Sequence, residues 1–154
     1  MTAMSIGAEE RPSCMNDLDQ LVGTWRMSSS LPSEGEPHAE TRFEWLEGGR
    51  FLIQRWHVDH PAAPDGIAII GAGEAEGTYR QHYFDSRGVE RVYEMTLADG
   101  VWKLWRSAEA PDFSQRFTGT FDAAGDTISG TWELSHDGST WQHDFDLTYT
   151  RVSR

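Results

Sequence analysis

The stretch YRQHYFDSRGVERVYEMTLADGVWKLWR, Tyr79 to Arg106, decides how the whole chain reads. It contains three runs in which side-chain character alternates residue by residue, separated by Ser86-Arg87-Gly88 and Asp99-Gly100. Alternation of period two is the mark of a β-strand with two different faces. Asp-Gly between such runs is a two-residue hairpin turn, because both residues tolerate positive φ. Ser-Arg-Gly suits a three-residue loop that ends in a glycine bulge. Turns of known length set the register, and directly paired residues point to the same side of the sheet. Tyr83 then lies opposite Arg91, Gln81 opposite Tyr93, and Tyr79 opposite Met95. Across the second turn Leu97 meets Trp102, Met95 meets Leu104, and Tyr93 meets Arg106. The other side carries Arg80, His82, Glu90, Glu94 and Lys103, and belongs in water.

The same pattern extends from Val22 to the end of the chain. About ten strands are expected, at roughly 22–29, 39–47, 50–59, 67–74, 77–85, 89–97, 101–107, 113–122, 127–135 and 140–152. Gly48-Gly49 reads as another two-residue turn, and Asp137-Gly138 closes the last hairpin. No connection is long enough for a crossover helix, so the strands form an antiparallel meander. A meander this long has exposed edges unless it closes. The expected fold is all-β: a closed antiparallel up-and-down barrel with one short helical turn before it. That turn is Asn16 to Leu21, capped by Asn16, with Leu18 and Leu21 facing inward. Residues 1–15 are expected to be a disordered tail that holds Cys14 in an exposed position, and residues 16–154 the barrel domain.

The remaining hairpins place Trp45 opposite Leu52, Phe43 opposite Gln54 and Thr41 opposite Trp56. At the C-terminus they place Leu134 opposite Trp141 and Trp132 opposite His143, followed by inward Phe145, Leu147 and Tyr149. Glu133, Asp144 and Asp146 then face out. Phe51 and Ile53 also fall on the outer side, which makes the third strand the one whose register the pattern constrains least.

Composition narrows the function classes. The chain has 154 residues and a formal charge of −12, from 25 acidic and 13 basic residues. Nucleic acids and anionic membranes are bound through clustered Lys and Arg, so neither is an expected partner. Cys14 is the only cysteine, which excludes an intrachain disulfide and a cysteine metal cluster. There is no secretory h-region near the start and no apolar run of membrane-spanning length. A cytoplasmic location is the expectation, with a small-molecule ligand as partner; a homodimer is compatible with the sequence.

A barrel core that served only to hold the fold together would be aliphatic. The inward face instead mixes Trp25, Phe43, Trp45, Trp56, Tyr79, Trp102, Phe117, Trp132 and Phe145 with polar residues. Those are Gln54, Gln81, Tyr83, Arg91, Tyr93, Arg106, Gln115 and His143. An unpaired neutral polar group costs roughly 2–7 kcal/mol to bury, and a charge costs more. Such groups are tolerated when they face one another, water or a ligand, and a few polar groups within apolar walls are typical of small-molecule sites. Arg91 and Arg106 flank Tyr93 and stay charged at any ordinary pH, so together they call for a carboxylate or phosphate. The alternative is that they pair with an acid of the chain or reach solvent at the rim. His143 lies among aromatic residues, where a histidine is a hydrogen-bonded core residue or an acid–base group. His57, Asp59 and His60 form a cluster at a strand end that reads as solvated surface and matches no metal-site spacing. The chain has no nucleophile elbow, phosphate loop or dinucleotide fingerprint.

Leu21-Val-Gly-Thr-Trp25, a helical turn leading into Gly-x-Trp on the first strand, is similar to the opening of calycins (lipocalins, fatty-acid-binding proteins, avidins and nitrobindins). The resemblance implies that Trp25 packs across the closed end of a barrel. Tyr83 to Tyr93 and the ending Leu147-Thr-Tyr-Thr-Arg151 resemble an uncharacterised bacterial family of calycin-like domains. Nitrobindins bind haem through a histidine near the C-terminus. Here Met27 replaces the second glycine of their Gly-x-Trp-x-Gly signature, and Asp144 falls at the ligand position, with His143 one residue away. No cofactor is therefore expected, and haem is the alternative that this resemblance keeps open. Arg91-Val92-Tyr93 has the Arg-x-Tyr spacing with which fatty-acid-binding proteins hold a carboxylate, on a different strand. The expected function is a carrier or sensor that holds a partly apolar anion, with ligand-binding residues Gln54, Trp56, Gln81, Tyr83, Arg91, Tyr93, Trp102, Arg106, Gln115 and His143. The alternative is an enzyme in the same cavity using His143 or a tyrosine as acid–base.

Overall fold

A computed structural model describes residues 11–31 and 38–154. A 3-10 helix, Ser13–Leu21, precedes ten strands: β1 Gly23–Ser29, β2 Ala39–Trp45, β3 Leu52–Val58, β4 Gly66–Ala72, β5 Tyr79–Asp85, β6 Glu90–Ala98, β7 Val101–Arg106, β8 Ser114–Phe121, β9 Thr127–Ser135 and β10 Gln142–Ser153. Each strand pairs antiparallel with its neighbours in sequence, and β1 pairs with β10, so the sheet is a closed barrel without a free edge. The fold class is the one the sequence implies. Among the described residues, no helix is long and apolar enough to cross a membrane.

The turns explain the registers. Asp99 and Gly100 both have positive φ, 55° and 74°, and join Ala98 to its partner Val101 directly. Gly88 takes φ 83° and closes the 86–88 loop, where the Val89 carbonyl accepts from Asp85 N–H. Tyr83 faces Arg91, Gln81 faces Tyr93 and Met95 faces Leu104, as the turn lengths require. At Gly48-Gly49 the turn is wider than expected. Leu46 N–H bonds the Phe51 carbonyl, so four residues span the bend, but Trp45 still meets Leu52 and Phe43 meets Gln54. The third strand thus has the expected register, with Phe51 and Ile53 pointing outward.

The last hairpin departs from expectation. Gln142 pairs with Leu134 and His143 with Glu133, and then the register slips so that Phe145 pairs with Trp132. Asp144 is the extra residue of this β-bulge, a device that bends a strand and re-aims its side chains. Below the bulge Phe145, Leu147 and Tyr149 follow the inward series as expected. Above it His143 is turned outward.

The helix plugs one end of the barrel. Met15, Leu18 and Leu21 are fully buried within the core cluster. Trp25, also fully buried, donates its indole N–H to the Leu21 carbonyl at 2.8 Å. The Arg151 guanidinium stacks 4.1 Å over the Trp25 ring and donates to the Gln20 and Val22 carbonyls at 2.7 Å each. Tyr79 hydroxyl donates to the Cys14 carbonyl, and Trp45 indole N–H to Asp19. The expected tail is therefore shorter at its inner end. The helix begins at Ser13, Cys14 is half-buried and Met15 belongs to the core, because the apolar side chains of 15, 18 and 21 are needed to close the barrel. Residues 1–10 of that tail lie outside the described residues.

Glycines make room inside. Gly119 and Gly130 pair across β8 and β9, and the Phe117 ring lies against both; a Cβ on Gly130 would sit 2.4 Å from it. Trp102 packs edge-on against Phe43 and Phe117, filling the centre of the closed half.

Candidate functional site

The end of the barrel opposite the helix is formed by the last residues of β1, β3, β5, β7 and β9 and the first of β2, β4, β6, β8 and β10. Because side chains alternate, each of these strands delivers one or two inward residues to the mouth. There Arg91 from β6, Arg106 from β7 and Gln115 from β8 meet. Gln115 Oε1 accepts from Arg106 Nε at 2.8 Å, from the Tyr93 hydroxyl at 2.8 Å and from Arg91 Nη1 at 3.3 Å. One neutral oxygen thus serves two guanidinium groups and a phenol.

The two arginines differ in charge balance. Arg106 forks onto Asp112, with both nitrogen–oxygen distances at 3.2 Å, and its side chain is only 11% exposed. No carboxylate lies within ion-pair distance of Arg91 among the described residues. Phe113, next to Asp112 in the β7–β8 loop, lies against both guanidinium groups at 5.3 and 5.2 Å. The hydrogen bond from Arg106 holds the Asp112 carboxyl below the usual carboxylate range.

Aromatic rings line the wall on either side of this cluster. Trp56 and Tyr83 are stacked 5.3 Å apart, Tyr83 meets Tyr93 edge-on, and Tyr93 meets Trp132, which in turn stacks on Phe145. Trp56 lies flat only because its strand partner is Gly66, where a Cβ would be 2.1 Å from the indole. Its N–H donates to the Pro64 carbonyl.

The Tyr83 hydroxyl is tied at the rim. It donates at 2.6 Å to Asp85, whose carboxylate also accepts from Arg87 Nη2 at 2.6 Å and Arg87 N–H at 2.9 Å. Burial works to raise the Asp85 pKa, but the Arg87 and Tyr83 hydrogen bonds outweigh it and the carboxyl is held low. Burial and the adjacent carboxylate push the Tyr83 phenol up, and burial does the same at Tyr93 against the pull of Arg91 and Arg106. Both phenols stay protonated at neutral pH, where they can donate hydrogen bonds and cannot act as bases.

The sequence-derived residues divide into three groups. Trp56, Tyr83, Arg91, Tyr93, Arg106 and Gln115 come together at the mouth. Gln54, Gln81 and Trp102 are inward but deeper, at 6%, 3% and 1% exposure. Gln54 donates to Thr41 Oγ1 at 3.1 Å, and the Trp102 indole N–H has no partner among the described residues. His143 is not inside. The Asp144 bulge places it beside Glu133 on the outer surface, 57% exposed and 2.9 Å from Asp146. An acid–base role in the barrel, or a haem held from this strand, needs an inward histidine there, and the residues present do not fit either. Of the His57 cluster, His57 bonds Asp65 at 3.0 Å. Asp112, Phe113 and the Asp85–Arg87 pair were not foreseen. Arg87, Asp112 and Phe113 lie in loops, which carry no alternation to reveal them, and Asp85 is the last residue of β5.

No protein-family model matches the chain, and no curated protein sequence matches it. Solved structures do. Rv2717c from M. tuberculosis superposes with a TM-score of 0.65 at 17% identity, covering 92% of this chain and 99% of its own. The S-type phycobiliprotein lyase CPES from Guillardia theta gives 0.60 at 15% identity, covering 94% and 95%. At such identities the likeness is one of fold, a closed antiparallel barrel of ten strands.

Proposed function

We propose that the open mouth of this barrel binds a small, partly apolar anion, with a carboxylate as its charged group, and that the protein acts as a carrier or sensor of that molecule. The observation that carries this reading is the convergence of Arg91 and Arg106 on one neutral oxygen of Gln115, where, among the described residues, only Arg106 has a carboxylate partner, Asp112. Guanidinium groups keep their charge, so a half-compensated pair beside apolar rings favours an anion with an apolar body. In this account Arg91 and Arg106 hold the charge, Tyr93 and Gln115 orient it, and Trp56, Tyr83 and Trp132 contact the apolar part. A structural neighbour named as a phycobiliprotein lyase supports the view that barrels of this shape handle ligands.

The test is a titration followed by tryptophan fluorescence, since Trp56 and Trp132 line the mouth. Decanoate is compared with decanamide, which has the same chain and no charge. Decanoate should bind at least tenfold more tightly. Equal affinities would remove the anion from the account, and no response to either would remove the ligand. Native mass spectrometry of freshly purified protein would identify a guest that co-purifies.

A further inference from the structure

The β7–β8 loop, residues 107–113, joins the two strands that carry Arg106 and Gln115. Its base is fixed. Ala108 N–H donates to Ser114 Oγ at 3.0 Å, and the buried Ser114 hydroxyl donates back to the Ala108 carbonyl at 3.3 Å. Its tip is a self-contained turn, in which Asp112 N–H bonds the Glu109 carbonyl at 3.0 Å and Phe113 N–H bonds Asp112 Oδ1 at 2.8 Å. Residues 109–112 are exposed and Phe113 is half-buried. The tip rests on the barrel through two side chains. Asp112 sits on the Arg106 fork, and the Phe113 ring lies against the Arg91 and Arg106 guanidinium groups and edge-on to His136.

An aspartate carboxylate followed by a benzyl ring is itself a partly apolar anion, and it lies on the same two guanidinium groups that the mouth offers to a ligand. We propose that the Asp112–Phe113 tip is a tethered stand-in for the ligand, which occupies the arginine pair in the free protein and swings out about its Ser114-fixed base when an anion binds. Arg106 donates Nε to Gln115 and both Nη atoms to Asp112, so the fork that a carboxylate would take is filled. A ligand carboxylate reaches that fork only when Asp112 leaves it. The hold is a loose one. Both contacts are 3.2 Å, against about 2.7–2.9 Å for a strong charge-assisted pair, and the Asp112 side chain is 55% exposed, where water screens it. A carboxylate seated between the arginines also engages Arg91, which makes no ion pair among the described residues, so the ligand gains a contact that Asp112 lacks. This rests on the anion reading of the mouth and adds its control. Closed loop and bound anion exclude each other, so the position of the loop reports occupancy, which is what a sensor needs.

Decanoate and decanamide titrations of wild type and loop variants, followed by tryptophan fluorescence, test this. Asp112→Asn should bind decanoate at least about fivefold more tightly than wild type, because the internal competitor is gone. Glu109→Gln removes a charge from the same tip and leaves the Arg106 fork alone, so it should change the affinity less than about twofold. Phe113→Ala should also tighten binding, whereas a ring that formed part of the ligand's wall would weaken it when lost. In the wild type, hydrogen exchange of the 109–113 amides should speed up when decanoate saturates the site; a loop that closes over its ligand would slow. Decanoate preferred over decanamide but bound no more tightly by Asp112→Asn, an equal gain in Glu109→Gln, weaker binding by Phe113→Ala, or exchange that fails to rise would each overturn the stand-in and leave the anion site intact. No preference for decanoate in either wild type or Asp112→Asn overturns the anion site, and the stand-in with it.

Discussion

Arg106 and Gln115 are direct partners across β7 and β8, and the guanidinium Nε donates to the amide oxygen at 2.8 Å. That oxygen also receives Tyr93 and Arg91, so one amide fixes the geometry of the whole mouth. Gln115→Glu keeps the shape and adds the missing negative charge. The variant should melt higher than wild type, and its affinity for decanoate should fall at least tenfold, because the site then carries its own carboxylate. A calorimetric melt and the fluorescence titration check both halves.

Trp25→Ala should cost roughly 3–5 kcal/mol, the range of large-to-small aromatic changes in cores. The indole is fully buried, bonds the Leu21 carbonyl and supports the Arg151 guanidinium that holds the helix. A urea unfolding curve measures it; a loss under about 1 kcal/mol would show that the helical plug stands without it.

Gly130→Ala adds a single carbon where Phe117 and the Leu147 carbonyl already lie within 2.8 Å. Overpacking of this sort costs about 1–3 kcal/mol. Coupling to Phe117 is the diagnostic, since Phe117→Leu in the same chain should recover part of the loss.

Asp85 supplies a pH dependence. Its folded pKa lies below the unfolded value, so its contribution is present above the ordinary carboxylate range and is lost as pH falls through the folded pKa. The protein should therefore weaken progressively below about pH 4. Asp85→Asn should be less stable at pH 7 by about 1.5–3 kcal/mol, the worth of hydrogen bonds to a charged group, and should lose stability less steeply on acidification. Parallel urea curves at pH 7 and pH 3 check the sign.

The strands and most hairpins were legible because the chain states them twice, in the alternation and in turn residues of known geometry. The pairings of Tyr83 with Arg91 and of Tyr93's neighbours follow from Gly88 and from Asp99-Gly100, and so the mouth could be assembled on paper. His143 was misplaced because a bulge at Asp144 has no signal in an alternation that continues on both sides of it. Phe51 and Ile53 looked out of register because an outer face was equated with a wet one, and beside β3 and β4 it carries Phe51, Ile53, Ile67 and Ile69. Asp112 and Phe113 sit in a loop, where contacts depend on the path of the chain and not on a period.

The most direct test of the central claim is the decanoate affinity of Arg91→Met against wild type. Methionine keeps much of the stem volume and removes a charge that makes no ion pair with a carboxylate among the described residues. Affinity should fall by roughly 1.5–3 kcal/mol, while stability without ligand holds or rises as two like charges no longer face each other. Equal affinity in the two proteins would contradict the account and leave the mouth as an aromatic rim whose arginines only hold the β7–β8 loop.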